Sequence, residues 1–295
     1  LLMKSKSADK VKLKSFDDLF GTNEILTGET VTSVPIKQLR IFKGHPFRVL
    51  DDEKMQETVD SVKKYGVLIP GIVRPYPEGG YEVVAGHRRW RACELAGLEE
   101  MPVIVRDMDD DTAVVIMVDS NIQREDILPS EKAKAYRMKY EAMRHQGKKS
   151  GKNTLDEIGG IVGENAKKVQ RYIWLSRFSK ELLDMVDHKK LGFSQGVEIS
   201  FLTEEAQRWV HAFVKEQGCT VSTVQSAKIK EYGKSGELTS AMVELILTEK
   251  KPKERKILLK ADKISRYFTE DCSSEEIENI ILRLLDEWKE GQGGK

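Results

Sequence analysis

The apolar pattern of this chain changes period once, near Pro129, and that change limits the fold more than any other feature. Before it, short β-branched runs alternate with helical spacing. "GIVRP" (71–75), "YEVVA" (81–85) and "MPVIVRD" (101–107) read as strands, with residues 75–80 as the turn between the first two. "DEKMQETVDSVKKYG" (52–66) sets Met55, Val59 and Val62 on one helical face and stops at Gly66. A sheet of two to three strands with helices packed on it accounts for residues 34–118. From Pro129, which suits the first turn of a helix, the pattern is almost wholly helical. The fold class is therefore α+β, a small mixed α/β part followed by all-α parts.

Four segments follow: a polar tail (1–32), the mixed domain (33–118), a helical domain (119–216) and a helical C-terminal domain (217–295). The tail carries one apolar group, "FDDLFG" (16–21), suited to docking or incidental. Within the helical domain, "TLDEIGGIVGENAKKVQRYIWL" (154–175) has the rhythm of a helix-turn-helix. Thr154 and Glu157 form a capping box, Leu155, Ile158 and Val162 face inward, Gly163 turns, and Val169, Ile173 and Leu175 anchor the second helix. Near the end, "SSEEIENIILRLLDEW" (273–288) is capped by Ser273 with Glu276. It lays Ile277, Ile280, Ile281, Leu284, Leu285 and Trp288 along one stripe, for its own domain or for a second copy.

Composition narrows the class. Apolar residues make up 39% of the chain and charged ones 33%, so real cores are possible in a charge-rich protein. No apolar run approaches the ~18 residues of a membrane span. Cys93, Cys219 and Cys272 are too far apart for a disulfide framework or a CxxC site, which fits a reducing cytoplasm. The five histidines, His45 and His87 among them, show no ligand spacing. The net charge of +1 hides an uneven spread. Residues 101–130 hold 2 Lys/Arg against 7 Asp/Glu, and residues 131–190 hold 15 against 8. An acidic block thus precedes a basic one, either as solvated faces or, on a nucleic-acid motif, as a binding surface.

Three clusters carry chemistry. In "YEVVAGHRRWRACELAG" (81–97) a strand passes through Gly86 into a helix whose first residues include His87, Arg88, Arg89 and Arg91. Helix N-termini already carry positive partial charge, so arginines there repel unless an anion is present. A polyphosphate supplies it; the bland alternative pairs the arginines with the acidic run 107–111. Cys93 on that helix reads as packing. A second cluster, "DSNIQREDILPSE" (119–131), offers Asn121 and a nearby carboxylate, oxygen donors suited to Mg²⁺ alongside phosphates, or simply caps for the next helix. In the third, Lys167 and Lys168 are placed to neutralise DNA phosphates, and Gln170 or Arg171 to reach base edges in a major groove.

The order of these clusters resembles the ParB partition-protein family. "GHRRWRA" (86–92) is similar to the family's Gly-Glu-Arg-Arg box, "NIQREDILPSE" (121–131) to its next motif, and "HPFRV" (45–49) to its Arg-bearing entry motif. The resemblance spans about residues 33–215. It implies a sulfiredoxin-like N-terminal domain that binds CTP with Mg²⁺, with Arg48, Gly86, His87, Arg88, Arg89, Arg91, Asn121 and Arg124 at the nucleotide and Asn121 at the metal. It further implies a homodimeric clamp on a palindromic double-stranded DNA site and weak CTP hydrolysis. It also implies a ParA-type ATPase recruited through the N-terminal tail, and a cytoplasmic, nucleoid-associated setting. Three departures stand out. His87 replaces the box glutamate, Ser120 replaces the glutamate before the metal-binding Asn, and Asn165-Ala166 opens the recognition helix where Ser-Arg is common. They put hydrolysis and the usual chromosomal DNA site in question, as a plasmid or mobile-element member would. The competing function is a helix-turn-helix transcriptional regulator or nucleoid-binding protein without hydrolysis. A nuclease is disfavoured, because no compact carboxylate cluster is in view.

Overall fold

The computed structural model describes residues 30–147, 152–249, 267–268 and 272–292. The chain divides into two units, up to Thr248 and from Glu249 onward. The first begins with a five-stranded mixed sheet of β1 (Val31–Pro35), β2 (Leu39–Ile41), β3 (Gly71–Pro75), β4 (Tyr81–Ala85) and β5 (Glu100–Val105). Their order is β1-β5-β3-β4-β2. β1 runs antiparallel to β5, and β3 antiparallel to β4. β3 runs parallel to β5, and β2 parallel to β4.

The sheet corrects the expectation of two to three strands. β1 and β2 are edge strands, too short and too exposed to leave an alternating signal. β1 also starts at Val31, inside the segment read as tail; the apolar group at 16–21 lies outside the described residues.

Alternation along the strands feeds two cores. Val73 and Val83 point to one face, where α1 (Glu53–Tyr65) and α2 (His87–Ala96) pack Met55, Val59, Val62, Ala92 and Cys93. Ile72 and Val84 point to the other, toward Ala113, Met117 and Val118 of α3 (Asp110–Asn121) and Tyr136 of α4 (Pro129–His145). Pro129 stands in the first turn of α4, as expected. Glu82 lies inside the sheet at 2% exposure; its Oε1 accepts from the Lys43 N–H at 2.8 Å and its Oε2 from Arg74 Nε and Nη2 at 2.7 and 2.6 Å.

The second core of α4 is shared with α5 (Lys152–Gly160) and α6 (Ala166–Leu175), the helix-turn-helix. α7 (Lys180–Asp187), α8 (Phe193–Ile199), α9 (Glu204–Gln217), α10 (Thr223–Ser235) and α11 (Ser240–Thr248) enclose a third core, which runs across residue 217 through Val214, Val221, Ile229 and Val243. The first turn of α4 joins several of these parts. Glu131 Oε1 accepts from Arg48 N and Nε at 2.8 and 3.2 Å, while its Oε2 accepts from Leu128 N at 3.0 Å. Next to it, Ser130 N and Oγ donate to Asp187 at 2.9 and 2.5 Å.

In the second unit, α12 (Ser274–Gln292) is capped by Ser273, whose backbone N–H donates to Glu276 at 2.9 Å. Its Leu284, Leu285 and Trp288 are more than half exposed. Among the described residues no helix is long and apolar enough to cross a membrane.

Candidate nucleotide cleft and nucleic-acid interface

The strand-to-helix passage at Gly86 is built for close approach. Gly86 has φ +103°, a conformation that strains any side chain, and a Cβ there would crowd Arg89 Nη2 at 3.1 Å and Gly71 Cα at 3.3 Å. It caps α2 without a side-chain bond, and the first-turn residues His87, Arg88 and Arg89 carry amides with no helical acceptor. A cleft of about 460 Å³ opens in front of this turn, of the size that small ligands occupy. Its apolar side comes from Val31, Ile69, Ile72 and Ile104; its polar side comes from Arg88, Arg89, Arg106, Ser120, Asn121 and Arg124.

The arginines are aimed by different partners. Arg89 Nη1 donates to the carbonyls of Ile69 and Pro70 at 2.5 and 2.8 Å, which fixes its fork beside Gly86. Burial lowers its pKa from the usual arginine value, and among the described residues it forms no ion pair. Arg88 reaches Asp52 at 3.5 Å, and Arg124 reaches Asp126 at 3.5 Å. The acidic run 107–111 holds neither: Asp109 caps α3 and Asp110 pairs with Arg74 at 2.7 Å. Cys93 is fully buried, and burial raises its thiol pKa, in keeping with packing.

Two predicted residues do not reach the cleft. Arg91 lies more than half a turn around α2 from Arg89 and binds Asp51 at 2.7 Å and Glu94 at 3.1 Å, bonds that raise its pKa and lower that of Asp51. Arg48 is held by Glu131. Gly86, His87, Arg88, Arg89, Asn121 and Arg124 do come together there. Arg106 was missed, since it follows β5 inside an acidic block with no motif around it.

The metal donors are sparse. Asn121 Nδ2 donates back to the Met117 carbonyl at 2.9 Å and to Ser120 Oγ at 3.2 Å. The nearby carboxylate, Asp119, turns away to the buried Lys139 ammonium at 2.5 Å; burial raises its pKa and Lys139 opposes that rise. No group of three or more His, Cys, Asp or Glu converges among the described residues.

His87 is 4% exposed, and His45 lies against it with ring centroids 3.9 Å apart. Among the described residues the ring nitrogens find no hydrogen-bond partner of good geometry, though the Val83 and Phe47 main chains act on His87 and His45. Forty-two residues separate the two, so no spacing rule finds the pair.

On the basic side, the helix-turn-helix packs as predicted through Leu155, Ile158, Val169 and Leu175. Asn165 caps α6 by accepting from Lys168 N at 2.9 Å. Gly159 has no room for a side chain, since a Cβ would sit 2.2 Å from the Glu164 carbonyl. Thr154 falls inside α5, which starts at Lys152, rather than at its N-cap.

The four candidate DNA contacts are not equivalent. Lys168 Nζ is held by Glu164 at 2.9 Å, which raises its pKa. Burial would raise the Glu164 pKa, but bonds from Lys132, Lys168 and Tyr136 outweigh it and hold the carboxylate charged. Arg171 donates to Ser194 Oγ at 2.8 Å and stacks 4.9 Å from the Phe193 ring. Lys167 is exposed and Gln170 half-buried, both without a partner among the described residues. Lys167→Ala is expected to lower the slope of log K against log salt on duplex DNA by about one. Lys168→Ala should change it by less than half as much, because that charge is already paired; filter binding from 50 to 300 mM salt reads both.

The ParB N-terminal domain model matches residues 22–122. The probable chromosome 1-partitioning protein ParB of Deinococcus radiodurans is 30% identical over 208 residues, covering 70% of this chain and 69% of that protein. The chromosome-partitioning protein Spo0J of Thermus thermophilus is 30% identical over 202 residues, 68% of this chain and 71% of that one. Among solved structures, Caulobacter crescentus ParB complexed to the centromeric parS site is 24% identical, covering 68% of this chain and 98% of that one, at a TM-score of 0.42. The same protein complexed with CTP-gamma-S covers 63% of this chain and 98% of that one, at 26% identity and a TM-score of 0.31. With two curated relatives matched over more than two thirds of their length, and the glycine-arginine turn ahead of a helix-turn-helix, this chain belongs to the ParB chromosome-partitioning family.

Proposed function

We propose that the protein is a CTP-switched DNA clamp that partitions a replicon. One observation carries the reading: a helix N-terminus, a glycine in the left-handed conformation and several arginines share one cleft. That is an anion seat, and a nucleoside triphosphate fits its size and charge. Gly86, Arg88 and Arg89 are assigned to the phosphates, Arg106 and Arg124 to the rim. The donor set suits Mg²⁺ only if most of its shell comes from phosphate and water, with Asn121 and Ser120 adding neutral oxygens. Lys167, Gln170 and, once released from Ser194, Arg171 would meet a palindromic DNA site.

The exposed stripe of α12 suits homodimerisation, and a ParA-type ATPase is assigned to the N-terminal tail. Ligand binding shifts such a clamp only through different affinity for its open and closed forms. Calorimetry is expected to show CTP binding at least tenfold tighter than ATP, and cysteine crosslinking between copies should rise with CTP and cognate DNA. Equal affinity for both nucleotides, or crosslinking indifferent to CTP, would overturn the reading.

A regulator without hydrolysis remains the second reading, and one feature favours it: Asp119 is bound to Lys139, leaving Ser120 at the cleft. Phosphate release under saturating CTP and DNA separates the two.

A further inference from the structure

The turn of the helix-turn-helix carries a nearly buried acid. Glu164 lies between α5 and α6, one residue before the N-cap Asn165. Its main chain is pinned on the end of α5: the N–H donates to the Gly159 carbonyl at 2.9 Å, and its own carbonyl fills the space that a Gly159 Cβ would need. Its side chain is 8% exposed. Oε1 accepts from Lys132 Nζ and pairs with Lys168 Nζ, both at 2.9 Å, and Oε2 accepts from the Tyr136 hydroxyl at 2.8 Å. The two cations differ. Lys132 of α4 is mostly buried, 5.5 Å from the Tyr172 ring centroid and 6.0 Å from that of Tyr136. Lys168 is half exposed and stands beside Lys167 in the first turn of α6, where the helix dipole disfavours cations. Glu164 offsets that for Lys168 and not for Lys167.

We propose that Glu164 holds down non-specific DNA affinity by withholding the Lys168 ammonium from the phosphates, which leaves discrimination to Gln170 and Arg171. The proposal rests on α6 being the helix that meets DNA. A lysine that neutralises a phosphate releases counterions and tightens binding to every sequence alike, so it adds nothing to the preference for one site over another. A pair made with a nearly buried carboxylate is screened by salt less than one between exposed groups. The hold on Lys168 therefore persists at ionic strengths that weaken phosphate contacts. The pinned turn also keeps the carboxylate from following Lys168 outward. Burial opposes ionisation of Glu164, yet the bonds from Lys132, Lys168 and Tyr136 bring its pKa below the usual glutamate value, and the bond from Glu164 raises the pKa of Lys168. Both partners are thus charged at neutral pH, and Lys132 and Tyr136 keep Glu164 in place from the α4 side.

The experiment is filter binding of a mixed-sequence duplex to the full chain, from 50 to 300 mM salt, with wild type, Glu164→Gln, Lys168→Ala and the double variant. Glutamine keeps the shape of the side chain and an oxygen for Lys132 and Tyr136 but gives up the charge. Glu164→Gln is expected to steepen the slope of log K against log salt by about 0.9 per bound copy, and to bind several-fold tighter at 50 mM. Lys168→Ala should change little in wild type and remove the whole gain in Glu164→Gln. That non-additivity is the signature of a withheld cation. An equal gain in the double variant would assign the effect to the lost negative charge alone and overturn the proposal. Equal slopes for wild type and Glu164→Gln would overturn it too.

Both of those outcomes leave the DNA reading intact, whereas no salt-dependent binding by any of the four proteins would sink that reading and this one together. Should Glu164→Gln fail to fold, the wild type with ¹³C-methylated lysines decides, since methylation keeps the charge. Added duplex should move the Lys167 methyl signal and leave that of Lys168 in place. A Lys168 signal that moves as far as that of Lys167 refutes the proposal, and two unmoved signals refute the placing of α6 on DNA as well.

Discussion

Arg89→Ala is expected to weaken CTP binding by about a hundredfold or more. The guanidinium is fixed before any ligand arrives, with Nη1 committed to the Ile69 and Pro70 carbonyls and Nη2 beside Gly86 at the helix start. Little side-chain entropy remains to be lost on binding. Two charge-assisted hydrogen bonds at about 1.5–3 kcal/mol each account for at least the ~3 kcal/mol that a hundredfold loss requires. Arg89→Lys should recover only part of it, since an ammonium keeps the charge but not the fork that spans carbonyls and phosphate together. Calorimetry with CTP checks both variants; a loss under fivefold in the alanine variant would remove Arg89 from the phosphate seat. Circular dichroism controls for the second role of this residue, as the clasp of residues 69–70.

Glu82→Ala is expected to cost about 3–5 kcal/mol of stability, the usual penalty for removing one partner of a buried ion pair. The carboxylate is 2% exposed and satisfies the Lys43 N–H and two nitrogens of Arg74. Without it, Arg74 keeps its ion pair with Asp110, whose side chain is 89% exposed, and the Lys43 amide loses its acceptor. Urea denaturation of the 30–248 region in the full chain measures the change. A loss below 1 kcal/mol would mean that water replaces the carboxylate and that the network is not a structural tie between the sheet and α3.

What the sequence made legible was local. The helix-turn-helix rhythm over residues 154–175 and the strand-glycine-helix at Gly86 are each set by neighbours within a few positions, and each stands as read. β1 and β2 escaped because three to five half-exposed residues at a sheet edge leave no period. The destination of an arginine also escaped. Arg91 and Arg89 are two residues apart on one helix, so they face different ways, and only the fold shows that Asp51 waits for one and two carbonyls for the other. The Glu164–Lys168 pair was readable from its spacing of four, and it lowers the count of free cations on the DNA side. The stacked histidines were not readable at all, because contact between positions 45 and 87 is a product of the sheet.

The two anchors in the first turn of α4 make that helix a lever. Glu131 fastens it to the segment bearing Arg48, and Ser130 fastens it to the end of α7. The helix is 17 residues long, a rise of roughly 25 Å. A tilt of about 10° at its anchored end sweeps the other by about 4 Å, roughly three residues of helical rise. Displacements too small to break a hydrogen bond near Arg48 are thereby magnified at the far end of α4, near His145.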